Sequence, residues 1–314
     1  MNLRSRKLLI ISICFLLSLG LPLILTSALS RHFLVLIGIN IILVMSLDMV
    51  LGHAGLSSLG HAGFMGIGAY TCALLVMNYK FSFLGGLVGA ITVAGFFGAL
   101  VGYPSLRLKG HYFVIVTFIC GIVFNLLFTN LISITKGPMG LPGIPAPRIG
   151  IWPGLSIIIE SKLQYYYLVL AFVFMLMYIK SRFFNSRMGR ALTAIREDED
   201  LAKAVGIRSH AYKVLAFIIS TGFAGLAGGL YAHYFRFIGP DSFTMLHSFD
   251  LFVMNLVGGA GTILGPIIGP MILTIIDELS QLFKPELARI LFGVSLILII
   301  LYMPKGIVGL LKKR

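Results

Sequence analysis

Asp48, His53, Ser57, Ser58 and His61 stand in or at the head of an otherwise apolar stretch, Leu51 to Tyr70, that also carries six glycines. Hydroxyls and amides can guide a small solute without trapping it, and Thr117 and Asn125 bring the same groups to a later apolar run. Two readings of the histidines stand side by side: hydrogen bonds to a neighbouring helix, or contacts to a solute. Asp48, Asp250 and Asp277 are the acids within or near apolar runs, each either functional or paired, or a carboxylate reaching the interface. Asp48 is singled out because it opens the glycine-rich stretch. Asp48, Ser57, Ser58, His61, Thr117 and Asn125 are the candidate groups lining a path.

The other concentration of chemistry is Ser186 to Ile207. Four of the chain's 11 acids stand together there, at Glu197 to Asp200, followed by a helix-compatible run that closes at Gly206, a residue suited to the position just past a helix. A short charged helix outside an apolar segment is a handle for a soluble partner; the alternative is a solvated loop that only enforces topology.

Several chemistries are excluded by what is missing. No Gly-x-x-x-x-Gly-Lys-[Ser/Thr] occurs, so the chain lacks the phosphate cradle for hydrolysing ATP itself. No His-Glu-x-x-His, no Gly-x-Ser-x-Gly and no paired intramembrane acids are read, which argues against an intramembrane enzyme. Cys14, Cys72 and Cys120 all fall in apolar runs and read as small buried hydrophobes; no metal or disulfide framework is expected.

The elements that must position these groups are membrane helices. The 314 residues are 58% hydrophobic and 11% charged, with mean hydropathy +0.98, which no soluble domain of this length carries without large exposed apolar patches. Apolar runs predict spans near 8–30, 32–50, 54–79, 83–104, 111–135, 163–180 and 214–235, with another near 290–303. The first is read as an uncleaved helix, since it is too long for a signal sequence. A ninth and tenth come from splitting the run after Asp250 at Gly258-Gly259-Ala260-Gly261, giving 244–259 and 261–280; the runner-up keeps this region as a re-entrant hairpin with the C-terminus outside. With both termini cytoplasmic, about two-thirds of the 25 basic residues lie inside, so net charge +14 reflects topology and no nucleic-acid surface. The expectation is an all-α polytopic bundle of about ten helices. It forms a single domain over 1–314, with a cytoplasmic segment at 181–213 and an outer segment at 136–162. Pro138, Pro142, Pro145, Pro147 and Pro153 keep that outer segment from being a regular helix. Small residues at helical spacing, such as Gly98 with Gly102 and Gly225 with Gly229, predict close helix packing.

Several segments in one order resemble the permease family of ABC importers for branched-chain amino acids, of the LivM type. They are Gly52 to Tyr70, Thr135 to Leu141, Gly189 to Gly206, Tyr212 to Phe217, Gly258 to Pro266, Leu291-Phe-Gly and Met303 to Ile307. In such importers a Glu-Ala-Ala-x-x-x-Gly loop docks on the ATPase. Asp200-Leu-Ala-Lys-Ala-Val-Gly206 fits that spacing, with Asp for Glu and Leu for the first Ala. The resemblance makes Arg190, Arg196, Glu197, Asp198, Glu199, Asp200, Ala202 and Gly206 the candidate coupling residues. It implies a second homologous permease, two ATP-binding subunits and a periplasmic binding protein as partners, with ATP and magnesium on the partner chains and no cofactor here. The expected activity is alternating-access import of leucine, isoleucine, valine or a similar small neutral solute, in the bacterial inner membrane. An ion-gradient-driven transporter is the alternative; it predicts two homologous halves, and no convincing internal repeat is found.

Overall fold

The computed structural model describes residues 18–23, 25–107, 111–152, 155–280, 293–294, 297, 301 and 306–311. Of the span expected near 8–30, residues 18–23 are helical, 25–27 are not, and 28–30 already belong to the next helix, while 8–17 and 24 lie outside the described residues; the span expected near 290–303 lies mostly outside them.

The central element is α1, Ala28–Ala54, whose 27 residues reach about 40 Å. Ser27 caps its start by accepting from the Leu29 N–H, and Gly55 ends it with φ 68°. From Val35 to Val50 nearly every α1 residue is buried, because α1 is surrounded by the helices Lys162–Phe184, Ser209–Phe235, Met245–Gly258 and Gly265–Ser280, so its apolar surface runs all round. Around it stand α2 (His61–Tyr79), α3 (Phe83–Ser105), α4 (His111–Asn130), α6 (Lys162–Phe184) and α9 (Ser209–Phe235). Six helices among the described residues are long and apolar enough to cross a membrane: α1, α2, α3, α4, α6 and α9.

Small residues set the tightest contacts. A Cβ on Gly68 of α2 would fall within 2.6 Å of the Gly225 carbonyl carbon of α9, so these backbones touch only because Gly68 has no side chain, while Gly225 turns its own bare side to Ala90 and Ala94 of α3. Gly98 and Gly102 likewise face Thr221 and Phe217 of α9.

Two expectations are corrected. The glycine-rich span expected at 54–79 is broken: 55–60 is non-helical and α2 begins only at His61. Glycine's helix cost outweighs propensity there, and neighbouring helices supply the missing hydrogen bonds. The span expected at 111–135 ends at Asn130, and a separate turn of helix, α5, covers Ile132–Thr135. The class is all-α with small sheets at one end: β1 (Leu141–Pro142) pairs antiparallel with β4 (Phe237–Ile238), and β2 (Arg148–Trp152) pairs with β3 (Leu155–Ile158). The proline-rich 136–162 segment accordingly forms turns and extended pieces, as its prolines require.

The glycine cluster splits the chain as expected, into α10 (Met245–Gly258) and α11 (Gly265–Ser280), packed on each other. At 14 and 16 residues they reach about 21 and 24 Å, short of a full hydrocarbon core. Their connecting turn meets the C-terminal end of α1, at the same end of the bundle as the basic segment 180–213. Gly306, at the start of α12 (Gly306–Leu311), sits against Gly259 of that turn. Gly306 therefore lies at the basic end of the bundle.

Candidate functional site

The break at 55–60 is held by side chains from four helices. His61 is fully buried, with Nδ1 3.0 Å from Ser58 Oγ and Nε2 2.8 Å from Ser220 Oγ. Ser220 spends its proton on the Ser46 carbonyl, so it must accept from His61 Nε2–H, and Ser58 then donates to Nδ1. The neutral Nε2–H tautomer satisfies every group in this chain. Thr117 Oγ1 of α4 accepts the Leu59 N–H, Ser248 Oγ of α10 accepts the Ala62 N–H, and Asn125 donates to the Pro240 carbonyl at 2.7 Å. The bonds to the Leu59 and Ala62 N–H groups replace ones that a continuous helix would have made, whereas that of Asn125 ties α4 to the turn at Pro240.

Ser58, His61 and Thr117 are thus fully buried and engaged with the protein, while Ser57 and Asn125 keep partial exposure. Ser46, Ser220 and Ser248 complete the network and were not singled out from sequence. Lone serines inside apolar runs carry no spacing signal, and only the fold brings them to the break.

Asp48 lies elsewhere, one turn before Gly52 near the basic end of α1. Its Oδ2 is 2.6 Å from Lys180 Nζ, both side chains are almost completely buried, and its Oδ1 accepts the Gly261 N–H at 2.7 Å. Lys180 also donates to the Thr262 carbonyl. Charge counting did not reveal that Lys180 is a buried partner of Asp48, nor that Lys213 is buried against Glu199.

Beyond α6 the chain forms a two-helix foot. α7 (Arg187–Glu197) is capped by Ser186 and buries Leu192 and Ile195 against Ala54, Ala202 and Ala216. α8 (Glu199–Ala204) is capped by Asp198, whose Oδ1 accepts from the Asp200 and Leu201 N–H groups, both at 2.9 Å. Glu199 pairs with Lys213 of α9 and with Lys203. Burial pushes the Glu199 carboxyl up, but hydrogen bonds from Lys213 and Lys203 outweigh it and leave the pKa below the ordinary glutamate value. Hydrogen bonding to Glu199 in turn raises the Lys203 pKa.

The eight candidate coupling residues divide accordingly. Arg196 turns inward and donates to the Gly52 carbonyl at 2.5 Å, Ala202 is buried, and Asp198 and Glu199 hold the foot together. Arg190 donates back to the Asn185 carbonyl. Glu197, Asp200 and Gly206 are exposed, and Gly206 takes φ 87°, with open space where a Cβ would be. Beside them stand two residues that charge-based reasoning missed: Leu201 and Val205, 65% and 71% exposed and one turn apart. The available signal was the apolar pair at i and i+4 in an otherwise charged helix.

Comparison with known proteins agrees with this architecture. A family described as branched-chain amino acid transport system / permease component matches residues 30–300. The chain is 33% identical over 294 residues to the high-affinity branched-chain amino acid transport system permease protein LivM of Escherichia coli K12, covering 88% of this chain and 69% of that protein. It is 28% identical over 275 residues to the corresponding LivH permease of Salmonella typhimurium, covering 83% and 88%. It is also 29% identical over 245 residues to a probable LivM permease of Methanocaldococcus jannaschii, covering 72% and 69%. No solved structure matches. With a broken, serine-lined helix in its interior and a capped foot at one end, the chain belongs to the family of branched-chain amino acid transport permeases.

Proposed function

We propose that this chain is the membrane-spanning permease subunit of an ATP-driven importer, and that its foot is the surface on which a separate ATP-binding chain docks. The observation that carries this reading is the foot itself. Four groups fasten it to the membrane helices (Arg196 to Gly52, Glu199 to Lys213, and the buried Leu192 and Ile195), while Leu201, Val205, Glu197 and Asp200 lie exposed, Asp200 pairing with Lys203 of its own short helix. An exposed apolar pair ringed by charge is the composition of a docking patch, and a rigid attachment is what a mechanical input requires.

The foot end is placed in the cytoplasm by the excess of Lys and Arg there, and the 136–162 segment faces outward toward a binding protein. A second homologous permease completes the path and two ATP-binding subunits supply the energy. Ser57 and Asn125 line the path, with Ser58, His61 and Thr117 shaping its wall, and Asp48 stands apart at the basic end. Few fixed charges stand there, which suits a zwitterion with an apolar side chain. The names of the similar proteins point to branched-chain amino acids as cargo.

The test is uptake of labelled leucine, isoleucine and valine into cells carrying the complete system. Uptake is expected to stop on ATP depletion with the ion gradients maintained. Uptake that persists on a gradient alone would establish the secondary-transporter alternative.

A further inference from the structure

At one point near the basic end, four separate parts of the chain meet. α1 brings Asp48 and Gly52, α6 brings Lys180, α7 of the foot brings Arg196, and the turn between α10 and α11 brings Gly261 and Thr262. Asp48 and Lys180 pin the turn with one accepted and one donated bond, and Arg196 holds the Gly52 carbonyl directly beneath it. The site has no slack. A Cβ on Gly52 would stand 2.6 Å from Gly261 Cα, and one on Gly261 would stand 2.7 Å from the Gly52 oxygen and 3.2 Å from Arg196 Nη1.

We propose that Arg196 and the Asp48–Lys180 pair form a transmission node through which movement of the foot is passed to the turn joining α10 and α11. This rests on the docking role given to the foot above. Stability is a poor reason for the pair, because desolvation of a buried salt bridge offsets most of its attraction and apolar side chains would pack there as well. Charges at membrane depth mark positions that act, and a fully bonded pair fixes register between elements. The pair and the arginine grip backbone groups of the turn and of α1, so the foot cannot shift without moving them. Packed interfaces pass such shifts on as steps between discrete arrangements. A cavity of about 170 Å³ bounded by His53, Met177, Lys180, Phe184 and Thr262 lies beside the pair, leaving the turn room to move on one side. Short α10 and α11, joined by a glycine turn, are the elements of the described bundle best suited to respond. These three side chains are positioning residues and touch no cargo.

The experiment measures solute imported per ATP hydrolysed by the complete transporter in proteoliposomes, together with the amount of ATP-binding chain that copurifies. A defect of folding or assembly lowers import and hydrolysis together and leaves their ratio unchanged. Arg196→Ala and Asp48→Asn are expected to keep the ATP-binding chains bound while the ratio falls by about tenfold, and Arg196→Lys to restore most of it. If Asp48→Asn strands the Lys180 charge and fails to insert, the double variant Asp48→Asn/Lys180→Met carries neither charge and is expected to show the same fall. An unchanged ratio with the chains bound would overturn the node and leave the docking reading intact. Wild-type protein that captures no ATP-binding chain would overturn the docking reading and the node with it.

Discussion

Leu201 and Val205 are where a residue-level change should be felt most directly. Each exposes most of its side chain in this chain alone, and covering it on docking is worth about 1.5 kcal/mol, or roughly tenfold in affinity. The double variant Leu201→Ser/Val205→Ser is therefore expected to weaken copurification of the ATP-binding chain by about a hundredfold with membrane insertion unaltered. Glu199 acts differently, since it faces Lys213 and holds the foot in place. Its folded-state pKa is depressed, so its contribution is fully present above the ordinary glutamate pKa and is lost as pH falls through the lowered folded value. Proteolysis within 187–208 should accelerate in that acidic window, and Glu199→Gln should show the accelerated cleavage already at neutral pH. Cleavage independent of pH would show that the pair does not anchor the foot.

At the scale of elements, the break at 55–60 decides how α2 enters the bundle. Ser220→Ala would leave both His61 Nε2–H and the Ser46 carbonyl without their partner in a buried site, at a cost of about 1–3 kcal/mol. Lowered thermal stability in detergent, with unchanged helix content, is the expected result. Gly68→Ala drives a methyl group into the Gly225 backbone and should cost about 1–3 kcal/mol by the same measurement. The glycine count of this region made the weakness of the helix legible in sequence. Where the helix would stop was not legible, because that depended on Thr117 and Ser248 arriving from α4 and α10 to take the freed N–H groups.

For the whole molecule, the question is which groups share an end. Gly306 packs at Gly259, beside the foot, while Lys162 starts α6 at the opposite end, next to Ala28. Single cysteines at Lys203 and Lys312, introduced without the native cysteines, are expected to react with a membrane-impermeant reagent only from the cytoplasm, and one at Lys162 only from outside. Labelling of Lys312→Cys from the outside would overturn the ten-crossing parity.

Hydropathy and charge alone determined that this chain is a helical membrane protein, roughly where most helices run, and that 187–206 is a charged segment outside the apolar runs. Those properties are sums over many residues, each contributing through lipid or water irrespective of neighbours. The tertiary structure alone decided that Lys180 and Lys213 are buried partners, that His61 is saturated by two serines, and that Arg196 grips α1. Each of those outcomes depends on one specific group arriving from 14 to 159 residues away, and no local pattern in a sequence records such a meeting.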